Sequence, residues 1–129
     1  MKTISFVIPV YNEEKRIGKT IKTLLGSLSF SGLKLEKIIF VNDGSTDSTI
    51  SKIKDKESKI QKKTKAKIKI ISYKKNRGKG YAIKKGMLAS KSDYTLMFDA
   101  DMSTSIKELK KFLPFVKKGI DVIIGTRKN

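Results

Sequence analysis

Two carboxylates one residue apart close the apolar run Tyr94-Thr-Leu-Met-Phe-Asp-Ala-Asp101. Side chains alternate along an extended chain, so Asp99 and Asp101 point to the same side. Two like charges held that close are unfavourable unless a cation sits between them. Hard carboxylate oxygens suit Mg²⁺ or Mn²⁺, and such ions commonly bring a phosphate with them. The pair therefore predicts a metal–phosphate site.

The remaining acids sharpen this. Only 12 acidic residues stand among 129. Glu13 follows the first strand-like run, Asp43 the second, and Asp99 and Asp101 the fourth. In open α/β sheets ligands bind beyond the carboxyl ends of strands, so four carboxylates converge on the expected ligand edge. A site for bare phosphate would place glycines and lysines there instead. This edge suits a metal, hydroxyl groups or a base. Each acid also has a plainer reading as a helix cap. Arg77-Gly-Lys-Gly80 fits neither G-x-G-x-x-G nor a Walker loop. It is read as a backbone-and-cation cradle near nucleotide phosphates, with a flexible loop before a helix as the plainer alternative.

The elements that must position these residues alternate along the chain. Residues 4–10 read as a buried strand, and Asn12 as the cap of a helix whose first turn holds Glu13 and Glu14. Ile17, Ile21, Leu24, Leu25 and Leu28 recur at helical spacing. A second strand covers 37–42, and the turn 43–47 opens a helix carrying Ile50, Ile53 and Ile60. Residues 68–73 form a third strand, 80–90 a third helix and 93–98 a fourth strand. Ser105-Ile-Lys-Glu108 is a capping box before Leu109, Phe112 and Val116, in a helix that Pro114 can kink. Residues 121–125 make a fifth, short strand. This order implies a three-layer α/β/α domain with a mostly parallel sheet and right-handed crossovers. No linker divides residues 1–129, so a single domain is expected.

Composition excludes some chemistry. With no Cys and no His, thiolate and imidazole ligands and bases are absent. No apolar run approaches the ~20 residues of a membrane span, and the start lacks a signal-peptide pattern, so a cytoplasmic protein is expected. The formal net charge is +18; of 30 basic residues only Arg16, Arg77 and Arg127 are arginines. Nucleic-acid readers lean more on arginine, whose planar fork matches phosphates and bases. Lysines spread over helix faces point to solvated surfaces first, then to an anionic membrane surface, and not to nucleic acid.

Five segments in register resemble one family. They are Phe6-Val-Ile-Pro-Val-Tyr-Asn-Glu-Glu14, Ile39-Phe-Val-Asn-Asp-Gly-Ser-Thr-Asp47, Asn76-Arg-Gly-Lys-Gly-Tyr-Ala-Ile-Lys-Lys-Gly-Met87, Met97-Phe-Asp-Ala-Asp-Met-Ser-Thr104 and Ile124-Gly-Thr-Arg127. The chain resembles the amino-terminal, donor-binding half of an inverting family 2 glycosyltransferase with a Rossmann-like GT-A fold. Within the family it is most similar to polyprenyl- or dolichyl-phosphate sugar synthases, the dolichyl-phosphate β-glucosyltransferases above all. The resemblance implies that Pro9, Tyr11 and Glu13 line the nucleoside pocket, while Val41 and Asp43 meet base and ribose. Arg77, Gly78 and Lys79 would join the donor site. Asp99-Ala100-Asp101 would be the DxD motif: Asp101, the catalytic residue, binds Mg²⁺ or Mn²⁺, and Asp99 binds the metal or sugar hydroxyls. Many relatives carry Gln as a further ligand where Ser103 stands. Arg127 would contact substrate phosphate.

The implied reaction is transfer of a sugar, glucose favoured, from a nucleoside diphosphate such as UDP to a polyprenyl or dolichyl phosphate. A divalent ion neutralises the leaving diphosphate as C1 gains oxocarbenium character. A phosphate acceptor has a second pKa near ~6 and is already anionic, so it needs no general base. Such a protein would sit at the cytoplasmic face of a membrane. Family members continue roughly a hundred residues past the Gly-Thr-Arg motif, so residues 1–129 are expected to lack the acceptor half, which further chain or a partner would supply. The alternative is a non-catalytic or split nucleotide-sugar-binding module. A dehalogenase-type phosphatase is disfavoured, because its D-x-D-x-T loop follows the first strand and not the fourth.

Overall fold

The computed structural model describes residues 2–26, 33–98 and 122–124. Strands and helices alternate: β1 (Lys2–Val10), α1 (Ile17–Gly26), β2 (Leu33–Asp43), α2 (Thr49–Thr64), β3 (Lys67–Tyr73), α3 (Lys79–Ala89), β4 (Tyr94–Met97) and β5 (Val122–Ile124). The strands lie in the order β3-β2-β1-β4-β5, and every neighbouring pair is parallel. Parallel strands need covered crossovers, which the intervening helices supply.

The near-continuous apolar runs of β1 and β2 follow from burial on both faces. Phe6, Ile8, Ile38 and Phe40 turn to one face, where they meet Ile17, Ile21 and Leu24 of α1 and Ile53 and Ile60 of α2. Phe98 closes this layer edge-to-face on Phe6, with ring centroids 4.9 Å apart. Val7, Ile39 and Val41 turn to the other face under Ala82 of α3. The three-layer α/β/α expectation holds. Gly86 lets α3 lie directly on the sheet: a Cβ there would stand 2.3 Å from Cγ1 of Val7 and 3.1 Å from Cγ2 of Val41.

Two local features depart from expectation. The α-helix after β1 begins at Ile17, so Glu13 and Glu14 are not in its first turn. The 13–16 segment forms a turn, in which the Glu13 carbonyl accepts the amides of Arg16 and Ile17. Asn12 does not cap that helix; its φ is +49°, and its side chain turns to another loop. The β1–β2 register also slips between Ile4 and Ser5, leaving Glu36 as an extra residue in β2. The bulge aims the Glu36 carboxylate at the Ser92 hydroxyl, 2.8 Å away, which in turn meets buried Ser5 at 2.6 Å. Among the described residues no helix is long and apolar enough to cross a membrane. The expected helix around Ser105–Val116 lies outside the described residues.

Candidate donor site at the carboxyl edge

Asp43 is the organising residue of the edge. It ends β2, is 4% exposed, and stands in register with Tyr73 at the end of β3. Its Oδ1 accepts the Arg77 amide at 2.8 Å, and its Oδ2 accepts the Gly78 amide at 3.0 Å. The Asn76 Nδ2 donates both to Oδ2 at 3.0 Å and to the Asp43 carbonyl at 3.1 Å. The carboxylate therefore holds the loop between β3 and α3 through its backbone. It is not a helix cap.

Glycine makes the approach possible at two points. Gly44 has φ +76°, and a Cβ on it would stand 2.5 Å from the Asn76 amide nitrogen. Gly78 has φ +93°, a left-handed value that favours glycine, and it is the residue that turns its N–H back toward Asp43. Beyond it α3 begins with no side-chain cap.

An aromatic and cationic cluster flanks this loop. Tyr73 meets Tyr81 edge-to-face at 5.2 Å. The Arg77 guanidinium lies 5.3 Å from the Tyr81 ring centroid and the Lys85 ammonium 5.5 Å from it, on the scale of cation–π contacts. The Tyr73 hydroxyl is buried and makes no well-aligned hydrogen bond among the described residues. Burial, reinforced by the nearby Asp43 carboxylate, pushes its pKa well above the ordinary value.

A second set of bonds ties the loop after β1 to the loop after β2. The Asn12 amide donates to the Ser45 hydroxyl at 3.0 Å, and the Asn12 Oδ1 accepts the Thr46 amide at 2.8 Å. The Glu13 amide donates to the Thr49 hydroxyl at 2.8 Å, and the Glu14 amide to Asp47 Oδ2 at 3.2 Å. Lys52 reaches the Glu14 carbonyl at 2.7 Å. Asp47, not Asp43, serves the start of α2, accepting the Thr49 amide at 3.0 Å and also the Thr49 hydroxyl. Burial opposes charge on Asp47, but bonds from Thr49 and from the Glu14 amide outweigh it and hold the pKa below its ordinary value.

The other expected site residues separate into groups. Pro9 lies near the end of β1, half-buried beside Val41. Tyr11 follows it and is 46% exposed, a ring open to a stacking partner. The Glu13 carboxylate pairs with Arg16 at 2.7 Å. The Val41 side chain is fully buried beneath α3, so it shapes the floor and does not face the edge. Arg77 and Lys79 are exposed at the start of α3. Asp99, Ala100, Asp101, Ser103 and Arg127 lie outside the described residues. Met97, which closes β4, pairs with Val7, and the Phe98 amide donates to the Val7 carbonyl at 2.9 Å. Among the described residues no group of three or more acidic side chains could hold a metal ion. The sequence reading did not single out Asn76, Tyr73 or Tyr81; an aromatic at each end of a lysine-rich loop was the available signal.

The parallel sheet with its covering helices is an α/β fold of the GT-A type, the architecture it shares with its structural neighbours. The model of the glycosyl transferase family 2 matches residues 5–129, and the chain belongs to that family. It is 33% identical to the dolichyl-phosphate beta-glucosyltransferase of Dictyostelium discoideum over 98% of its length, spanning 40% of that protein. It is 36% identical to the dolichyl-phosphate beta-glucosyltransferase of Homo sapiens over 93% of its length, spanning 36% of that protein. Among solved structures, S. aureus TarS superposes with a TM-score of 0.69 at 24% identity, covering 92% of this chain and 33% of TarS. The mannosyltransferase PcManGT of Pyrobaculum calidifontis, in complex with GDP-Man and Mn²⁺, superposes with a TM-score of 0.63 at 20% identity, covering 76% of this chain and 27% of its own.

Proposed function

We propose that this chain is the donor-binding part of an inverting, metal-dependent glycosyltransferase. The enzyme moves a sugar, glucose favoured, from UDP to a polyprenyl or dolichyl phosphate. The reading is carried by 33% and 36% identity, over 98% and 93% of this chain, to two dolichyl-phosphate beta-glucosyltransferases. Residues 1–129 act as one donor-binding unit, with the acceptor half supplied by further chain or a partner. Tyr11 stacks on the base, Pro9 and Glu13 complete the nucleoside pocket, and Arg77 and Lys79 offset diphosphate charge. Asp99 and Asp101 hold Mg²⁺ or Mn²⁺, and Arg127 contacts substrate phosphate. The metal, when bound, neutralises charge on the departing diphosphate. The protein works at the cytoplasmic face of a membrane, where a lipid phosphate is available.

The test is transfer of labelled glucose from UDP-glucose to a polyprenyl phosphate, alongside thermal stabilisation by UDP with Mn²⁺. Asp101→Ala should abolish both. Stabilisation without transfer would favour a binding module over an enzyme. Equal UDP stabilisation of wild type and Asp101→Ala in the presence of Mn²⁺ would remove the metal role.

A further inference from the structure

We infer that Thr49 is a positioning residue for the nucleoside side of the donor site: its buried hydroxyl fixes the backbone that carries Tyr11 and Glu13. The inference rests on the donor-binding reading above and adds to it a residue that need not touch the ligand. Thr49 is the first residue of α2 and is fully buried. A buried hydroxyl needs partners, and this one has two. It accepts the Glu13 amide at 2.8 Å and donates to Asp47 Oδ1. An ionised carboxylate only accepts, so the direction of the relay is set. The hydroxyl proton goes to Asp47, which leaves a lone pair to face the Glu13 N–H.

Residues 11–13 belong to no helix or strand, and Asn12 stands at a left-handed φ of +49°. The order of this stretch comes from the start of α2. Besides the Thr49 bond, the Glu14 amide reaches Asp47 at 3.2 Å, and Lys52 reaches the Glu14 carbonyl at 2.7 Å. Thr49 is the stiffest of these anchors. Its β-branched side chain is restricted about χ1, and its helix is seated in the core through Ile53 and Ile60. Asp47 is half-buried and Lys52 exposed, so both have freedom that Thr49 lacks. Core packing therefore sets where the Glu13 backbone stands, and with it the exposed Tyr11 ring two residues earlier. A hydroxyl at a helix start commonly caps its own helix. This one instead receives an amide from a residue 36 positions away. A nucleoside that had to order the loop would bind more weakly by that cost, and the Thr49 bond supplies the order in advance.

The test uses two variants of Thr49 and two ligands. Thr49→Val keeps the shape but faces the Glu13 amide with a methyl group, whereas Thr49→Ser keeps the hydroxyl. Binding of UDP with Mn²⁺ and of pyrophosphate with Mn²⁺ is measured by calorimetry on the full chain, with hydrogen exchange at the Glu13 amide. In Thr49→Val, UDP affinity should fall at least about fivefold, on the scale of one buried amide left unpaired, while pyrophosphate affinity stays within about twofold. The Glu13 amide should lose protection while the amides of β1 keep theirs, and Thr49→Ser should restore both protection and UDP affinity. Unchanged UDP affinity in Thr49→Val would overturn the inference, as would equal loss of both ligands or a failure of Thr49→Ser to restore binding. If Thr49→Val does not fold, Asp47→Ala carries the test at a half-buried position, because it removes the acceptor of the Thr49 hydroxyl and of the Glu14 amide. The same loss of UDP without loss of pyrophosphate is expected there, and unchanged UDP affinity would overturn the inference. A wild type that binds neither ligand would instead overturn the donor-binding reading and the nucleoside role with it. Glu13 protection lost in Thr49→Val and kept in Thr49→Ser would then still uphold Thr49 as the anchor of the loop.

Discussion

Asp43 and Asp47 are four residues apart and do different work. Asp43 is buried and spends its oxygens on a distant loop, whereas Asp47 stays near the surface and serves the start of its own helix. The helix start carries a partial positive charge and unpaired amides, so a carboxylate accepting the Thr49 amide is stabilised in its ionised form. This makes Asp47 a source of acid sensitivity. Its folded pKa lies below the ordinary 3.8, so its contribution is complete above that value and disappears as pH falls through the lower, folded one. Asp47→Asn should lower the urea midpoint at about pH 7, modestly because solvent screens the group. The gap from wild type should close below about pH 4. A gap of constant size down to about pH 2 would show that shape, and not charge, is what Asp47 contributes.

Most elements were legible from residue types alone: β1, β2 and β3 carry the apolar runs, and α2 buries Ile53 and Ile60 as their spacing requires. What the sequence hides are contacts between residues about 34 positions apart. Asn12 looks like a local cap because Asn often is one, yet its oxygen accepts an amide of the next βα loop. Asp43 looks like an open ligand group because the donors that fill it lie in another element. Glu36 reads as one more strand residue, and only the pairing of β1 with β2 makes it a bulge. The carboxyl-edge position of Glu13 and Asp43 was legible, because it follows from strand order in any parallel sheet; their bonding was not. Helix α3 illustrates the same limit, since its sequence is only weakly amphipathic and its seat is set by one missing side chain. Gly86→Ala would drive a Cβ to 2.3 Å from Val7. The helix must lift or Val7 must move, which for overpacked cores costs about 1–3 kcal/mol. Urea unfolding should show that loss, and UDP binding should weaken as the start of α3 shifts. Full stability in Gly86→Ala would mean that the helix rides higher on the sheet than its packing indicates.

The whole molecule sets an acidic edge into a strongly basic body. With a net charge of +18 on 14.5 kDa, it repels itself and attracts any anionic surface within a Debye length, roughly 10 Å at 0.1 M salt. Exposed Lys15, in the turn before α1, joins exposed Lys19 and Lys22 of α1 and Lys56, Lys59 and Lys63 of α2, the two helices forming one layer. Buried apolar residues line the opposite faces of these helices, so the lysines are not needed for packing. An enzyme whose acceptor is a lipid phosphate gains if its body is held at the membrane, because the acceptor is confined to that surface. Each lysine near an anionic leaflet contributes about 1 kcal/mol, so several together suffice for reversible attachment. The chain should therefore co-sediment with vesicles containing about 30% phosphatidylserine and not with pure phosphatidylcholine, and raising salt from about 0.05 to 0.5 M should release it. Replacing Lys56, Lys59 and Lys63 with Gln should weaken attachment while leaving UDP affinity unchanged, because these side chains lie on an outer helix face away from the loops of the donor edge. Salt-insensitive binding, or equal binding to neutral vesicles, would instead require an apolar contact and would leave the lysines as solvating groups alone.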